Sequence, residues 1–167
     1  IPVFIGKTPN TGSPTKILMY TDYDDIKKAV GSGGIGLETA DMETSNPLLF
    51  ELKNFFVESA IQTNSDVGVQ RVYVVDLGST PKAEDVMTAL DQIKTVREIS
   101  VVSFVGLETV DGVDLVALAQ SVWTDFTNDT AYGRFKIGYF RGKKAATEDE
   151  LAVYSDSTKT TFIQEPR

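Results

Sequence analysis

Residues 69–78 read VQRVYVVDLG, and this stretch decides the fold. Val72, Val74 and Val75 form an almost continuous apolar run that is followed by Asp76 and a glycine. A short β-branched run that is closed by a turn residue predicts a strand covered on both faces. Such strands are typical of sheets with helices on either side, which is the α/β class.

Downstream of this strand, helical and extended patterns alternate along the chain. Residues 80–96 predict a helix capped by Thr80, with Pro81 at its first position and apolar residues on one face. A strand–helix–strand alternation implies crossover connections and a mainly parallel sheet. The remaining predicted elements in this half are a strand at 99–106, a helix at 111–128, a strand at 134–140, a helix at 147–157 and a strand at 160–164.

Upstream, short strands at 1–6 and 16–20 precede a helix at 22–31 that Asp22 caps. A longer helix begins at Pro47 and carries an apolar stripe that includes the pair Phe55–Phe56, which we place in the core. We therefore predict an α/β fold, with a mainly parallel or mixed sheet flanked by helices in a layered sandwich.

The 167 residues suffice for a single α/β domain over 1–167, and a subdivision into 1–66 and 67–167 is the alternative. The chain begins at Ile1 rather than Met, so we expect it to be a fragment of a longer protein. No apolar run approaches the roughly 20 residues that cross a bilayer, and we predict no membrane partner.

Composition excludes several kinds of chemistry. The sequence contains no Cys and no His, which removes thiol catalysis, thiolate metal sites, imidazole ligands and serine–histidine catalysis. The net charge of −8, from 24 acidic and 16 basic residues, repels nucleic acid, so we predict none as a partner. Any enzyme here would rely on carboxylates, Lys, Tyr, Ser or Thr.

Two stretches imitate phosphate-binding motifs. Gly31, Gly33 and Gly36 match G-x-G-x-x-G, but the fingerprint needs a strand before it and a helix opening within it. Here a helix precedes the glycines, so we interpret them as a helix cap and a loop. The residues IGKT at 5–8 end like a P-loop, yet Ile1 stands where that motif needs glycine, and we interpret Lys7–Thr8 as a solvated turn.

Carboxylates follow two of the predicted strands. Asp76 and Glu108 lie where ligands gather in open α/β sheets, and together they could hold Mg²⁺. The competing interpretation, which we favour, is that both lie in exposed loops, with Asp76 bonding to nearby backbone amides.

The one dense basic cluster is RGKK at 141–144. Either it is a solvated loop, or it binds phosphate or an acidic protein surface. On so acidic a chain, Arg141, Lys143 and Lys144 are candidates for contacts with a neighbouring copy.

The order of these motifs resembles the N-terminal half of contractile-tail sheath proteins of phages and related injection machines. In that family an opening strand ends in Gly, a strand and short helix carry a D-x-x-x-x-x-G motif, and a helix with a Phe-Phe pair leads into a V-Y-V-V strand. The matching positions are Ile5 and Gly6, Asp25 and Gly31, Phe55 and Phe56, and Tyr73 to Val75. The resemblance covers residues 1 to about 78, and the strand–helix order alone carries it to about 140.

Two departures from the family pattern matter. The segment IQTNSDVGVQ is longer than the family's turn before that strand. The terminal arms that add strands to neighbouring subunits are not found, which favours a fragment.

The resemblance implies a structural subunit without cofactor or catalytic residue, located in the virion tail and assembled in the host cytoplasm. Its partners would be its own copies and the inner tail tube protein. Two alternatives stay open at this point. One is an α/β ligand- or nucleotide-binding module, or a phosphoryl-transfer module, that uses Asp76, Glu108 and Lys143, and the other is an adaptor domain with an unrelated partner.

Overall fold

The computed structural model describes residues 1–11, 16–29, 38–62, 71–107, 109–115 and 137–139. The strands are β1 (Pro2–Gly6), β2 (Ile17–Tyr20), β3 (Val72–Asp76), β4 (Val101–Val105), β5 (Thr109–Val110), β6 (Val113–Asp114) and β7 (Ile137–Tyr139). The helices are α1 (Tyr23–Ala29), α2 (Met42–Ser45), α3 (Pro47–Gln62) and α4 (Ala83–Thr95).

The main sheet is mixed and has the strand order β2-β3-β1-β4-β7. Strand β1 pairs parallel with β3 and β4, and β4 pairs parallel with β7. Strand β2 alone is antiparallel, and it pairs with β3. The apolar run at 72–76 is thus an interior strand with a neighbour on each side. The predicted α/β class, with a sheet flanked by helices, is confirmed.

Side chains from the two faces of the sheet enter separate cores, because successive residues of a strand point to opposite sides. Val3 and Ile5 of β1 pack with α4, whereas Phe4 packs towards α1, α2 and α3. In α4 the buried residues are Val86, Ala89, Leu90 and Ile93, which extend the stripe that the sequence predicts. The layers are therefore α4, the sheet and the α1–α3 group, which confirms the predicted sandwich.

The starts of α1 and α3 match their sequence signals. The Asp22 carboxylate accepts the backbone N–H of Asp25 at 2.8 Å, which confirms Asp22 as the cap of α1. Pro47 is the first residue of α3, and the carboxamide oxygen of the preceding Asn46 accepts the N–H of Leu49 at 3.4 Å.

Helix α4 begins later than predicted, at Ala83 rather than next to Thr80. The N–H of Lys82 donates to the Asp85 carboxylate at 2.8 Å, and the N–H of Ala83 donates to the Asp111 carboxylate at 2.8 Å. These two bonds satisfy backbone donors at the start of the helix, so Thr80 and Pro81 are left in the connection that precedes it.

Residues 109–114 form a hairpin where the sequence predicts the start of a helix at 111. Strands β5 and β6 are antiparallel, with Thr109 opposite Asp114, and Asp111–Gly112 form the turn. Their φ values are 53° and 73°, which suit a two-residue hairpin turn. The rest of that predicted helix and the predicted elements at 147–157 and 160–164 lie outside the described residues. The predicted domain organisation stays a prediction.

Candidate functional site at the carboxyl edge of the sheet

Strands β1, β3 and β4 are parallel, so their carboxyl ends meet at one edge of the sheet. From β1 the chain proceeds to β3 on one side and then crosses to β4 on the other. In doubly wound sheets ligands bind in the crevice at such a reversal, which here lies between the ends of β1 and β4. This edge is therefore the first place to look for a functional site.

Asp76 is the acidic residue at the end of β3, and both of its carboxylate oxygens accept hydrogen bonds. One carboxylate oxygen accepts the Thr8 hydroxyl at 2.6 Å and the Gly78 N–H at 2.8 Å. The other oxygen accepts the Asn10 side-chain N–H at 2.7 Å. The residue is only 8% exposed. Three donors around a buried carboxylate describe a structural junction, because each bond is charge-assisted and shielded from water.

Backbone bonds reinforce this junction between the loops that follow β1 and β3. The N–H of Leu77 donates to the Gly6 carbonyl at 2.9 Å, and the N–H of Thr8 donates to the Gly78 carbonyl at 3.2 Å. Further along, the N–H of Ser79 donates to the Asn10 carbonyl at 2.7 Å. The two loops therefore continue the strand pairing past the end of the sheet.

The start of α3 covers the point where the chain direction reverses. A Cβ placed on Gly6 would lie 3.0 Å from Leu48 and 3.0 Å from the Val105 carbonyl oxygen. A Cβ on Gly106 would lie 2.3 Å from the Pro47 ring. Pro47 and Leu48 thus pack closely against the ends of β4 and β1, the region in which doubly wound sheets bind their ligands.

Asp76 is one of the two carboxylates that the sequence pairs as a candidate magnesium site. Strand β1 lies between β3, which ends at Asp76, and β4, whose last residue precedes Glu108 by three positions. Glu108 itself lies outside the described residues. Within the described ranges, no group of three or more acidic residues is placed to hold a metal ion.

Two sequence interpretations at this edge need correction. Asp76 bonds to a backbone amide as expected, but it is buried rather than exposed in a loop. Thr8 is 1% exposed, so Lys7–Thr8 is not a solvated turn, although Lys7 is exposed. Sequence reasoning missed Thr8 and Asn10 as partners of Asp76, because their link to it is long-range and leaves no local spacing signal.

The other candidate site residues cannot be compared with the structure. Gly31, Gly33 and Gly36 lie outside the described residues, and so do Arg141, Lys143 and Lys144. The pair Phe55–Phe56, which the sequence places in the core, is described. Both rings are partly buried against the core, edge to face at 5.4 Å between centroids.

A second polar group joins α1 to α3 through Glu38. The Tyr23 hydroxyl donates to Glu38 at 2.5 Å, and the Lys53 ammonium lies 3.6 Å from the same carboxylate. Burial, together with the bond to Glu38, raises the pKa of Tyr23 well above its ordinary value. The bond from Tyr23 in turn lowers the pKa of Glu38. The group therefore ties residue 38 to both helices.

Comparison of the chain with protein-family models, with curated proteins and with solved structures found no match. Among the described helices, none has both the length and the apolar character that crossing a bilayer requires. What the protein does is therefore inferred from its own residues.

Proposed function

We propose that this chain is a structural subunit of a contractile tail sheath and not an enzyme. Copies of it would assemble into stacked rings around an inner tube protein and re-pack on contraction. Its place would then be the virion tail, after assembly in the host cytoplasm.

The proposal is supported by what the residues of the resemblance do in the fold. Gly6 has no side chain and so leaves room for Leu48 to pack against the sheet. At the start of α1, the N–H of Asp25 donates to the Asp22 carboxylate. The Phe55 ring lies edge to face against both Phe4 and Phe56, at centroid distances of 5.5 and 5.4 Å. These positions serve packing and capping, as expected of a building block.

The observation that carries the proposal is the closed carboxyl edge. Asp76 is held by three donors, and Pro47 and Leu48 lie over Gly106 and Gly6. A subunit whose surface contacts exchange during contraction needs a domain that keeps its own fold. Joining the strand ends to each other and to α3 supplies that rigidity.

The alternative, a ligand- or nucleotide-binding module, makes a different prediction for the same edge. A ligand that binds the native state raises the melting temperature by mass action. We expect thermal scans with Mg²⁺, with ATP and with both to match the scan of the protein alone. A rise that saturates with ligand and disappears in Asp76→Asn would favour the binding module.

Charge reversal tests the assembly itself. In the complete reading frame that contains this chain, we expect Arg141→Glu, Lys143→Glu and Lys144→Glu together to impair the formation of sheaths seen by electron microscopy. The matched control reverses Arg71, Lys82 and Arg97, three exposed bases that give the same change in net charge. Normal sheaths from the first triple variant, or equal impairment in both, would refute the role assigned to 141–144.

A further inference from the structure

Strand β2 forms one edge of the main sheet. Its inner side pairs with β3, and no strand of the described residues pairs with its outer side. In an antiparallel strand the backbone groups of alternate residues point to opposite sides. Two of its four residues therefore direct their N–H and C=O groups outwards, where another strand could pair with them.

Apart from its short length and the Lys16 that precedes it, β2 has none of the devices that usually prevent such pairing. Natural edge strands carry Lys, Pro or a bulge, whereas the β2 sequence is ILMY. Leu18 is 51% exposed and Met19 is 48% exposed, on opposite faces of the strand. Two adjacent apolar side chains beside open backbone groups make this an edge that can accept a further strand.

The charges at the two ends of β2 indicate what covers it. Lys16 precedes the strand and is exposed, and Asp22 follows it at the start of α1. A strand that is positive at one end and negative at the other is complementary to a reversed copy of itself. We propose that β2 pairs antiparallel with β2 of a second copy, across a two-fold axis at Met19.

The register follows from the faces of the sheet. A two-fold axis perpendicular to the sheet keeps each face on its own side, so a residue must lie opposite one of the same parity. With Met19 opposite its own copy, Lys16 lies opposite Asp22 of the second copy, and the reverse contact forms as well. On the same face, Leu18 lies opposite Tyr20 of the second copy. A carboxylate accepts several bonds, so Asp22 can cap α1 and bind Lys16 together.

This pairing goes beyond the proposed function and does not depend on it. A two-fold contact closes after two copies, and it builds neither rings nor stacks. A single pair of four-residue strands also buries less than the ~1,000 Å² of a stable interface, so the dimer is weak. It must be sought at high protein concentration or trapped by a covalent bond.

Because the chain contains no cysteine, a single introduced cysteine can trap the dimer as a disulfide without competing thiols. In Met19→Cys the two thiols meet at the axis, and directly opposed strand residues lie within the Cα separation that a disulfide needs. Val57→Cys is the matched control, since Val57 is 49% exposed and lies on α3, away from this edge. We expect Met19→Cys to form disulfide dimers several-fold faster than Val57→Cys under mild oxidation. Equal rates would overturn the proposal.

A second pair of variants tests the charge pattern in the Met19→Cys background. We expect Lys16→Glu to slow cross-linking, because it places like charges opposite each other, whereas Lys7→Glu leaves the rate unchanged. An equal effect of both would show that net charge alone controls the rate and would overturn the register.

Sedimentation equilibrium gives an independent measurement on the protein without cysteine. We expect dimers that increase with concentration and that Met19→Lys abolishes, because two ammonium groups would meet at the axis. A monomer at every concentration would overturn the proposal. It would mean that another segment of the chain, such as residues 160–164, or a different protein covers β2.

Discussion

A single carboxylate, that of Asp76, joins two loops that lie far apart in the sequence. Thr8 is 68 residues away from it, and the Asn10 amide is 66 residues away. The sequence alone marks Asp76 as polar and at a strand end, but a polar residue there suits a ligand site and a structural bond equally. Only the pairing of β1 with β3 decides between them, because it brings Thr8 and Asn10 within bonding distance.

Replacing Asp76 by Asn tests this structural role. The new amide keeps one acceptor oxygen, and an NH₂ group takes the place of the other oxygen. Depending on its orientation, this NH₂ group faces either the Asn10 side-chain N–H or the Thr8 hydroxyl and the Gly78 N–H, all of which donate in the wild type. We expect the free energy of unfolding to fall by about 2 kcal/mol, the cost of unsatisfied buried groups. Urea unfolding measures the change. Thr8→Val is a companion variant that should lose less, since it removes one of the three bonds. A neutral Asp76→Asn would contradict the junction.

Gly106 and Gly112 provide a matched pair for the contact between β4 and α3. Both have positive φ, at 66° and 73°, but a Cβ on Gly106 would meet Pro47, whereas a Cβ on Gly112 would meet nothing within 4 Å. We expect Gly112→Ala to cost about 1–2 kcal/mol from the backbone alone. Gly106→Ala should cost about 2–4 kcal/mol, because overpacking adds to that penalty. If urea unfolding shows the same loss of unfolding free energy in both variants, then α3 moves away from the added methyl group without a loss of stability.

Among the elements, the strands of the main sheet and the long helices could be predicted because their signals are local. The apolar run at 72–76, the proline that opens α3 and the apolar stripe of α4 each appear within one short window. The hairpin at 109–114 could not be predicted from apolar periodicity, because Val110, Val113 and Leu115 suit a helical face as well. The signal that could have found it is Asp111–Gly112 between apolar residues, a strong hairpin turn.

The packing of α1 against α3 predicts how stability changes at high pH. The raised pKa of Tyr23 means that the folded protein keeps this phenol neutral, whereas the unfolded chain loses the proton near pH ~10. The stabilisation from Tyr23 is therefore complete below pH ~10 and is lost as the pH rises towards the higher folded pKa. The pKa values of Tyr20 and Tyr73 are raised as well and act in the same direction.

Comparing the wild-type protein with Tyr23→Phe isolates this contribution. We expect the wild type to be the more stable of the two near pH ~8, and the difference to shrink near pH ~11. Urea unfolding at the two pH values measures it, and the shared effects of Tyr20, Tyr73 and net charge cancel in the difference. A difference that stays constant would show that the Tyr23 hydroxyl does not hold a raised pKa.

At the scale of the molecule, the sequence predicts the α/β layers but not how the carboxyl edge is closed. The alternation of strands and helices is enough to place helices on both faces of a sheet. It cannot show that Pro47 lies on Gly106, because that contact joins the start of one crossover to the end of a strand formed much later in the chain. The same limit applies to β2, whose position at the edge depends on the whole strand order.

The rigid closed edge, the covered faces and the motif order together favour a protein whose work is done by surfaces that meet its own copies. Electron microscopy of the purified product of the complete reading frame tests this most directly. We predict tubular polymers with a regular axial repeat of stacked rings. A product that stays dispersed under all assembly conditions, and that binds a nucleotide or a metal ion at the ends of β1, β3 and β4, would contradict it.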